Sequence, residues 1–226
     1  GGYFDLNIEA VVQREPSLVL YQSVASGDRE IRALQQRGIE SAGIPMTTLS
    51  EILAAPAVLA ELCSLPQKNQ LADYHNKLQA LIDEVSEEGE PPTILLFYGI
   101  GGDYQQIFPT MVAGVSFHSE LVEVLGFRNA YRGRLNAPTL SAEAITHLKP
   151  DLLILLEGGA THFNERNRLI VEEIEGPKYI RQGLKRGAKI YRIEGYSTQI
   201  PTTRALYYLG KELIDIKRAW RSQQNS

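Results

Sequence analysis

The chain has 226 residues, of which 43% are hydrophobic and 22% are charged, and its formal net charge is -4. These proportions are ordinary for a globular protein that buries one large core or two smaller ones, and they give no reason to expect nucleic acid as a partner. The single cysteine, Cys63, excludes an intramolecular disulfide and any metal site built mainly from thiolates.

The first part of the chain predicts a helix, a turn and a strand. In residues 6–21, Asn7 can cap a short helix with Glu9 in its first turn, and Pro16 ends that helix. The apolar run at residues 18–21 suits a buried strand of a parallel sheet. Two further helices are predicted, over residues 29–37 and 49–62.

A longer helix is predicted over residues 69–86, where apolar side chains recur at helical spacing. The segment EEGEPP at residues 87–92 follows it, and its glycine and two prolines favour a break between two parts of the chain.

The remaining sequence alternates apolar strands with helices. Residues 93–98, TILLFY, predict a buried strand that ends in a glycine-rich turn at residues 99–102. Residues 140–159 predict a helix, a proline turn, a strand and a glycine loop. The other predicted elements are helices at residues 119–125, 164–174, 177–186 and 202–220 and a strand at residues 189–193. This alternation favours an α/β fold with parallel sheets flanked by helices.

One segment occurs twice, as LNIEAVVQREPSLVLY from residue 6 and as LSAEAITHLKPDLLIL from residue 140, 134 positions later (6 to 140). The cap, the proline and the apolar strand are generic for such a unit. A glutamate at the same first-turn position, Glu9 and Glu143, is not generic, although the helix dipole also favours an acid there. A true repeat implies two similar lobes with a ligand-binding cleft between them.

These segments resemble the paired segments of periplasmic or lipid-anchored binding proteins for siderophores, haem and cobalamin, which have the form (N/S)-x-E followed by K-P-D-L. The second copy fits this form, whereas the first has Glu15 in place of Lys and Ser17 in place of Asp. Residues 112–121, 126–130 and 187–191 are also similar to family motifs, so the resemblance covers nearly the whole chain.

The resemblance implies an α/β protein of two lobes, each a mostly parallel sheet flanked by helices, bridged by one long helix. We expect residues 1–68 to form the N-terminal lobe, residues 69–90 the bridging helix and residues 91–226 the C-terminal lobe. Family members begin with roughly fifty further residues, so the N-terminal lobe is expected to be incomplete. Either the chain is truncated or a partner chain completes the lobe, which would require a homodimer.

The resemblance also implies a function. The chain is expected to be the solute-binding component of an ABC importer and not an enzyme, located in the periplasm or anchored outside the cytoplasmic membrane. It would carry no intrinsic cofactor, and its ligand would be a ferric siderophore, haem or cobalamin. In the family, one acid on each lobe salt-bridges to arginines of the membrane permease, and these acids correspond to Glu9 and Glu143. The alternative is that each glutamate only compensates its helix dipole.

Ligands of open parallel sheets bind outside the carboxyl ends of the strands. Tyrosines there offer an apolar face and an oxygen atom, and arginines suit carboxylates of a chelate. By resemblance, Tyr21 and Tyr196 occupy positions that carry an aromatic residue against the ligand. The arginines could equally be part of a solvated loop. The candidate ligand-binding residues are Tyr21, Tyr98, Tyr104, Arg128, Tyr131, Arg132, Glu157 and Tyr196.

An enzymatic alternative uses the glycine-rich turn at residues 99–102 to hold a nucleotide or a flavin. The turn lacks both the Lys-Ser/Thr of a P-loop and the full G-x-G-x-x-G spacing. Ser116 does not lie in a G-x-S-x-G elbow, and the four histidines lack the spacing of a metal pair. The sequence therefore predicts neither a catalytic constellation nor a metal site.

Overall fold

The computed structural model of the protein describes residues 7–23, 28–64, 69–85, 89–99, 110–158, 169–176, 178–195 and 198–224. The chain divides into two compact units, Gly1–Gln67 and Lys68–Ser226. Among the described residues, none of the helices combines the length and the apolar character that crossing a membrane requires.

The first unit contains a small parallel sheet. Its elements in chain order are α1 (Ile8–Val12), β1 (Val19–Ser23), α2 (Asp28–Gln35), β2 (Ser41–Pro45) and α3 (Leu49–Leu62). β1 and β2 pair in parallel, with Val19 opposite Ser41. α3 begins with a capping box. The Thr48 hydroxyl accepts a hydrogen bond from the backbone N–H of Glu51, and the Glu51 carboxylate accepts one from the backbone N–H of Thr48. The buried apolar side chains of this unit are Ile31, Leu34, Ile44, Leu49, Ile52, Ala55 and Ala60.

The second unit is built on a five-stranded sheet of order β5-β3-β7-β9-β8. Its elements are α4 (Asn69–Asp83), β3 (Thr93–Gly99), β4 (Thr110–Met111), α5 (Phe117–Val124), β5 (Arg128–Asn129), β6 (Thr139–Leu140), α6 (Ala142–Leu148), β7 (Leu152–Glu157), β8 (Ile170–Glu173), α7 (Lys178–Gly183), β9 (Lys189–Glu194) and α8 (Thr203–Gln224). The first four strands of the sheet are parallel and β8 is an antiparallel edge. The predicted mostly parallel sheet flanked by helices is confirmed.

Strand burial explains the apolar runs in the sequence. All six residues of β7 are buried, because the strand lies between two neighbours and under helices. One core cluster joins β3, β7 and β9 with helices α6 and α7. Its buried side chains are Leu95, Phe97, Val112, Ile145, Leu153, Leu155, Ile180 and Ile190. α8 packs along α4 and α5, so the helix predicted over residues 69–86 lies within the second unit. Its bridging role stays a prediction.

The helix predicted over residues 164–174 is wrong in its described part, because residues 170–173 form β8. This strand pairs with β9 along its full length, with Ile170 opposite Glu194. Pairing with a strand distant in sequence outweighs the helical preference of the two glutamates in IVEE.

The two copies of the repeated segment have the same local structure. Asn7 and Ser141 are N-caps whose side chains accept a hydrogen bond from the third residue of each helix. Each short helix is followed by a proline and then a parallel strand, β1 in the first unit and β7 in the second. The two copies of the segment therefore share a backbone structure as well as a sequence pattern.

Candidate functional site

Three neighbouring strands of the second unit end at the same level. Gly99 of β3 lies opposite Glu157 of β7, and Glu157 lies opposite Glu194 of β9. We call this boundary the carboxyl edge. It is where open parallel sheets bind ligands. Of the predicted ligand-binding residues, Tyr98 and Glu157 lie on it, while Tyr104 and Tyr196 fall outside the described residues.

Tyr98 is held at the carboxyl edge by a buried histidine. Its hydroxyl oxygen lies 2.9 Å from Nδ1 of His118, and Nε2 of His118 lies 2.8 Å from the carbonyl oxygen of Thr198. His118 is only 2% exposed. Burial lowers its pKa to about 4, and burial raises the pKa of Tyr98 to about 12. At neutral pH the imidazole is therefore uncharged and the phenol keeps its proton.

Thr198 connects this pair to the end of β7. Its hydroxyl lies 3.0 Å from the carbonyl oxygen of Glu157 and 3.1 Å from that of Gly195. The side-chain amide of Gln199 donates to the carbonyl oxygen of Leu156 at 3.0 Å. The turn at residues 198–199 is thus fastened to the carboxyl edge by side-chain hydrogen bonds.

His118 and Thr198 were missed by the sequence analysis, which tested the histidines only for metal spacing. A local signal does exist, because His118 is the second residue of α5, after the N-cap Ser116, and precedes buried Leu121 by three positions. A histidine in the buried face of a first helical turn needs hydrogen-bond partners. The sequence gives no indication that one partner lies 80 residues away.

Glu157 is engaged by an arginine of the next strand. Its carboxylate lies 2.6 Å from Nε of Arg192, and the two side chains are only 8% and 19% exposed. Arg192 also pairs with Glu194 and, at 3.5 Å, with Glu172. One guanidinium therefore pairs with three carboxylates, and the charge of Glu157 at the carboxyl edge is already paired.

The predicted residues Arg128, Tyr131 and Arg132 are placed elsewhere on the second unit. Arg128 lies opposite Thr93, at the amino end of β3, and its guanidinium pairs with Glu90 at 3.2 Å. Arg132 pairs with Glu123 on the surface at 3.3 Å. Tyr131 packs against the core cluster on the face that α6 and α7 cover. The structure does not bring Arg128 to the carboxyl edge.

Tyr21 lies in the first unit, on β1, and is opposite Gly43 of β2. A Cβ atom on Gly43 would come within 3.0 Å of the Tyr21 ring. Glycine at residue 43 therefore leaves space for the half-buried tyrosine ring near the carboxyl end of its strand.

Glu9 and Glu143 each occupy the second helical position after an N-cap, in α1 and α6. Both side chains are exposed. Neither carboxylate forms an ion pair with another described residue. Exposed acids at a helix start suit the dipole and also stay accessible to a cationic partner.

Chemistry of other kinds finds little support in the described part of the chain. No group of three His, Cys, Asp or Glu side chains there is arranged to hold a metal ion. Cys63 is exposed at the end of α3.

No protein-family model matches the sequence. Solved structures do match. The periplasmic vitamin B12 binding protein of Vibrio cholerae is 18% identical with a TM-score of 0.72, over 97% of this chain and 81% of that one. The periplasmic haem-binding protein of V. cholerae is 17% identical with a TM-score of 0.67, over 96% and 82%. An ABC transporter substrate-binding protein from Listeria monocytogenes is 14% identical with a TM-score of 0.62, over 92% and 79%. The chain therefore has the fold of these periplasmic and transporter-associated binding proteins.

Proposed function

We propose that this protein is the solute-binding component of an ABC importer, which captures a bulky chelate outside the cytoplasm and delivers it to a membrane permease. The observation that carries the proposal is the fold, which matches binding proteins over more than nine-tenths of the chain. These similar proteins are binding proteins and not enzymes.

The ligand class is a large cofactor or iron chelate: haem, cobalamin or a ferric siderophore. Two of the similar structures are a vitamin B12 binding protein and a haem-binding protein. The carboxyl edge of the second unit supports this class, because it combines the half-buried ring of Tyr98 with firmly anchored polar groups. An aromatic ring with a polar atom at one end suits a macrocycle with polar substituents.

Docking to the permease is assigned to Glu9 and Glu143. The repeated segments give both acids the same helical position, the same type of cap and the same exposure. One acid on each unit offers two matching contacts to arginines of a partner, and such contacts mainly set the association rate and register.

A ligand panel tests the proposal. The purified protein is titrated with haemin, cyanocobalamin and a ferric hydroxamate siderophore, and binding is followed by absorbance and by fluorescence of the single tryptophan, Trp220. Flavin mononucleotide and ATP serve as controls for the enzymatic alternative. Saturable binding of one chelate supports the importer function, whereas binding of flavin or ATP alone would contradict it. The enzymatic alternative is not favoured, because the similar structures are binding proteins. Residues 100–102 of its glycine turn lie outside the described residues.

A further inference from the structure

The ammonium group of Lys217 is buried at the amino end of the five-stranded sheet. The residue is only 5% exposed, and its Nζ atom donates a hydrogen bond to the carbonyl oxygen of Leu125 at 2.9 Å. Leu125 is the C-cap of α5 and leads into β5, where Arg128 lies opposite Thr93 at the start of β3. Lys217 is therefore at the opposite end of β3 from the carboxyl edge.

This ammonium group keeps donors that the described chain does not use. A lysine ammonium has three N–H donors, and the carbonyl oxygen of Leu125 takes one of them. Among the described residues, Lys217 has no second hydrogen bond and no ion pair. Its Nζ atom lies 5.2 Å from the centroid of the Phe127 ring, which attracts a cation but carries no counter-charge. Because buried charges in proteins are normally paired, the two remaining donors favour an anion from solution.

A cavity of about 70 Å³ opens beside this ammonium group. The volume is several times the ~10–15 Å³ that one water molecule needs, so the cavity has room for a small ion. Its charged lining consists of Lys217, Arg218, Arg221 and Glu84. Arg218 pairs with exposed Asp215 at 3.1 Å, whereas half-buried Arg221 forms no ion pair with another described residue. Positive charge is in excess at the cavity even when Asp215 is counted.

Lys217 and Arg221 lie four positions apart on α8, so their side chains are neighbours on one face of the helix. Burial and, after it, the charge of Arg221 lower the pKa of Lys217 to about 8. The amine is still mostly protonated at neutral pH, so two like charges lie close together. The partial negative charge at the end of α5 offsets only part of this repulsion. An anion bound to both cations would remove it.

We propose that Lys217 and Arg221 form a binding site for a small oxoanion of the phosphate or sulfate type, in the cavity between the ends of α4 and α5 and the side of α8. Lys217 supplies N–H donors from a buried position, and Arg221 supplies a planar guanidinium that suits the oxygens of an oxoanion. The site lies away from the carboxyl edge and does not depend on the proposed function. Its occupant should stabilise the folded second unit by mass action.

Calorimetric titration of phosphate and of sulfate tests the site, at constant ionic strength with chloride as the other anion. We expect saturable binding with a Kd on the order of millimolar. Lys217→Met, which keeps the apolar stem, should weaken it at least tenfold, as loss of hydrogen bonds from a charged donor does. Arg221→Gln should weaken it roughly fivefold. Arg132→Gln, at an arginine that is 61% exposed and outside the cavity, is the matched control and should change nothing.

Glu84 provides a test in the opposite direction. Its carboxylate lines the cavity and repels an anion there, so Glu84→Gln should tighten phosphate binding roughly two- to threefold. Circular dichroism verifies that each variant folds. If Lys217→Met does not fold, Arg221→Gln and Glu84→Gln decide, because they change side chains that are not fully buried. Weaker binding in Glu84→Gln, or an equal loss in Arg132→Gln, would overturn the site.

The ¹³Cε resonance of Lys217 gives a readout of the site itself. In chloride it should titrate with a pKa of about 8. Saturating sulfate, which keeps its charge over this pH range, should raise the pKa, because a bound anion favours the protonated amine. A midpoint that sulfate leaves unchanged, or the absence of saturable phosphate binding to the unmodified protein, would show that the cavity holds water only and would overturn the inference.

Discussion

Glu15 and Lys149 adopt the same left-handed backbone conformation, with φ of 45° and 48°, and each stands directly before the proline of its repeated segment. Non-glycine residues seldom take this conformation. In both copies the backbone N–H of this residue bonds the carbonyl oxygen three positions earlier, in Val12 and Thr146, so the repeat includes the turn before each proline.

The left-handed residue gives the first prediction. Lys149→Val should lower the free energy of unfolding by about 1–2 kcal/mol, because a β-branched side chain fits a left-handed backbone poorly. Lys149→Gly should cause no loss, since glycine adopts this conformation without strain. Urea unfolding followed by circular dichroism measures both. A valine variant as stable as the glycine variant would contradict the backbone assignment.

The second prediction concerns Glu9 and Glu143, the two glutamates proposed to contact the permease. Glu9→Gln and Glu143→Gln should each weaken binding to the permease in nanodiscs by roughly fivefold, as expected for loss of an exposed ion pair worth ~1 kcal/mol. The effect should shrink at high salt because exposed charges are screened. Biolayer interferometry measures the association rate. Glu61→Gln, at an exposed site on α3, is the matched control. An unchanged association rate in the Glu9→Gln, Glu143→Gln double variant would rule out this docking mode.

The third prediction concerns the ion pair between Arg192 and Glu157. Arg192→Met should destabilise the protein by about 3 kcal/mol, because it leaves a buried carboxylate without its partner. The double variant Arg192→Met, Glu157→Gln should recover part of that loss, since the uncompensated charge is then gone. Chemical denaturation gives the free energies.

The control for this pair is Arg132→Met. The side chains of Arg132 and its partner Glu123 are 61% and 48% exposed. The free energy of unfolding should therefore change by no more than about 0.5 kcal/mol. Equal losses in Arg132→Met and Arg192→Met would show that burial of the pair is not what determines its contribution.

The fourth prediction is a pH dependence of stability. His118 has a pKa of about 4 in the folded chain and an ordinary value of 6.5 when unfolded. Between these values the unfolded state binds more protons, so stability falls as the pH drops from 6.5 towards 4. The histidine contribution amounts to at most about 3 kcal/mol, at 1.36 kcal/mol per pKa unit.

His118→Gln removes this titration. The difference in unfolding free energy between the unmodified protein and His118→Gln should therefore change across pH 4 to 6.5 and stay constant above it. Carboxylates that titrate in the same range contribute equally to the unfolding free energy of both proteins, so their contribution cancels in the difference. A difference that is flat throughout would mean that His118 is not held neutral by burial.

Much of the fold follows from local sequence. The N-caps Asn7 and Ser141, the stops at Pro16 and Pro150 and the apolar run of β7 predict their elements, because capping, proline sterics and strand burial act within a few residues. The repeat in the sequence also predicted two similar helix starts, each with a glutamate in its first turn. These features need no knowledge of distant partners.

The tertiary structure decided which side chains meet. The bond between His118 and Thr198 joins residues 80 positions apart, and β8 became a strand only through pairing with β9. The pairing of β7 with β9 placed Arg192 beside Glu157, so a carboxylate predicted to face ligand is held in an ion pair. Such contacts depend on strand order and register, which periodicity along one segment does not encode.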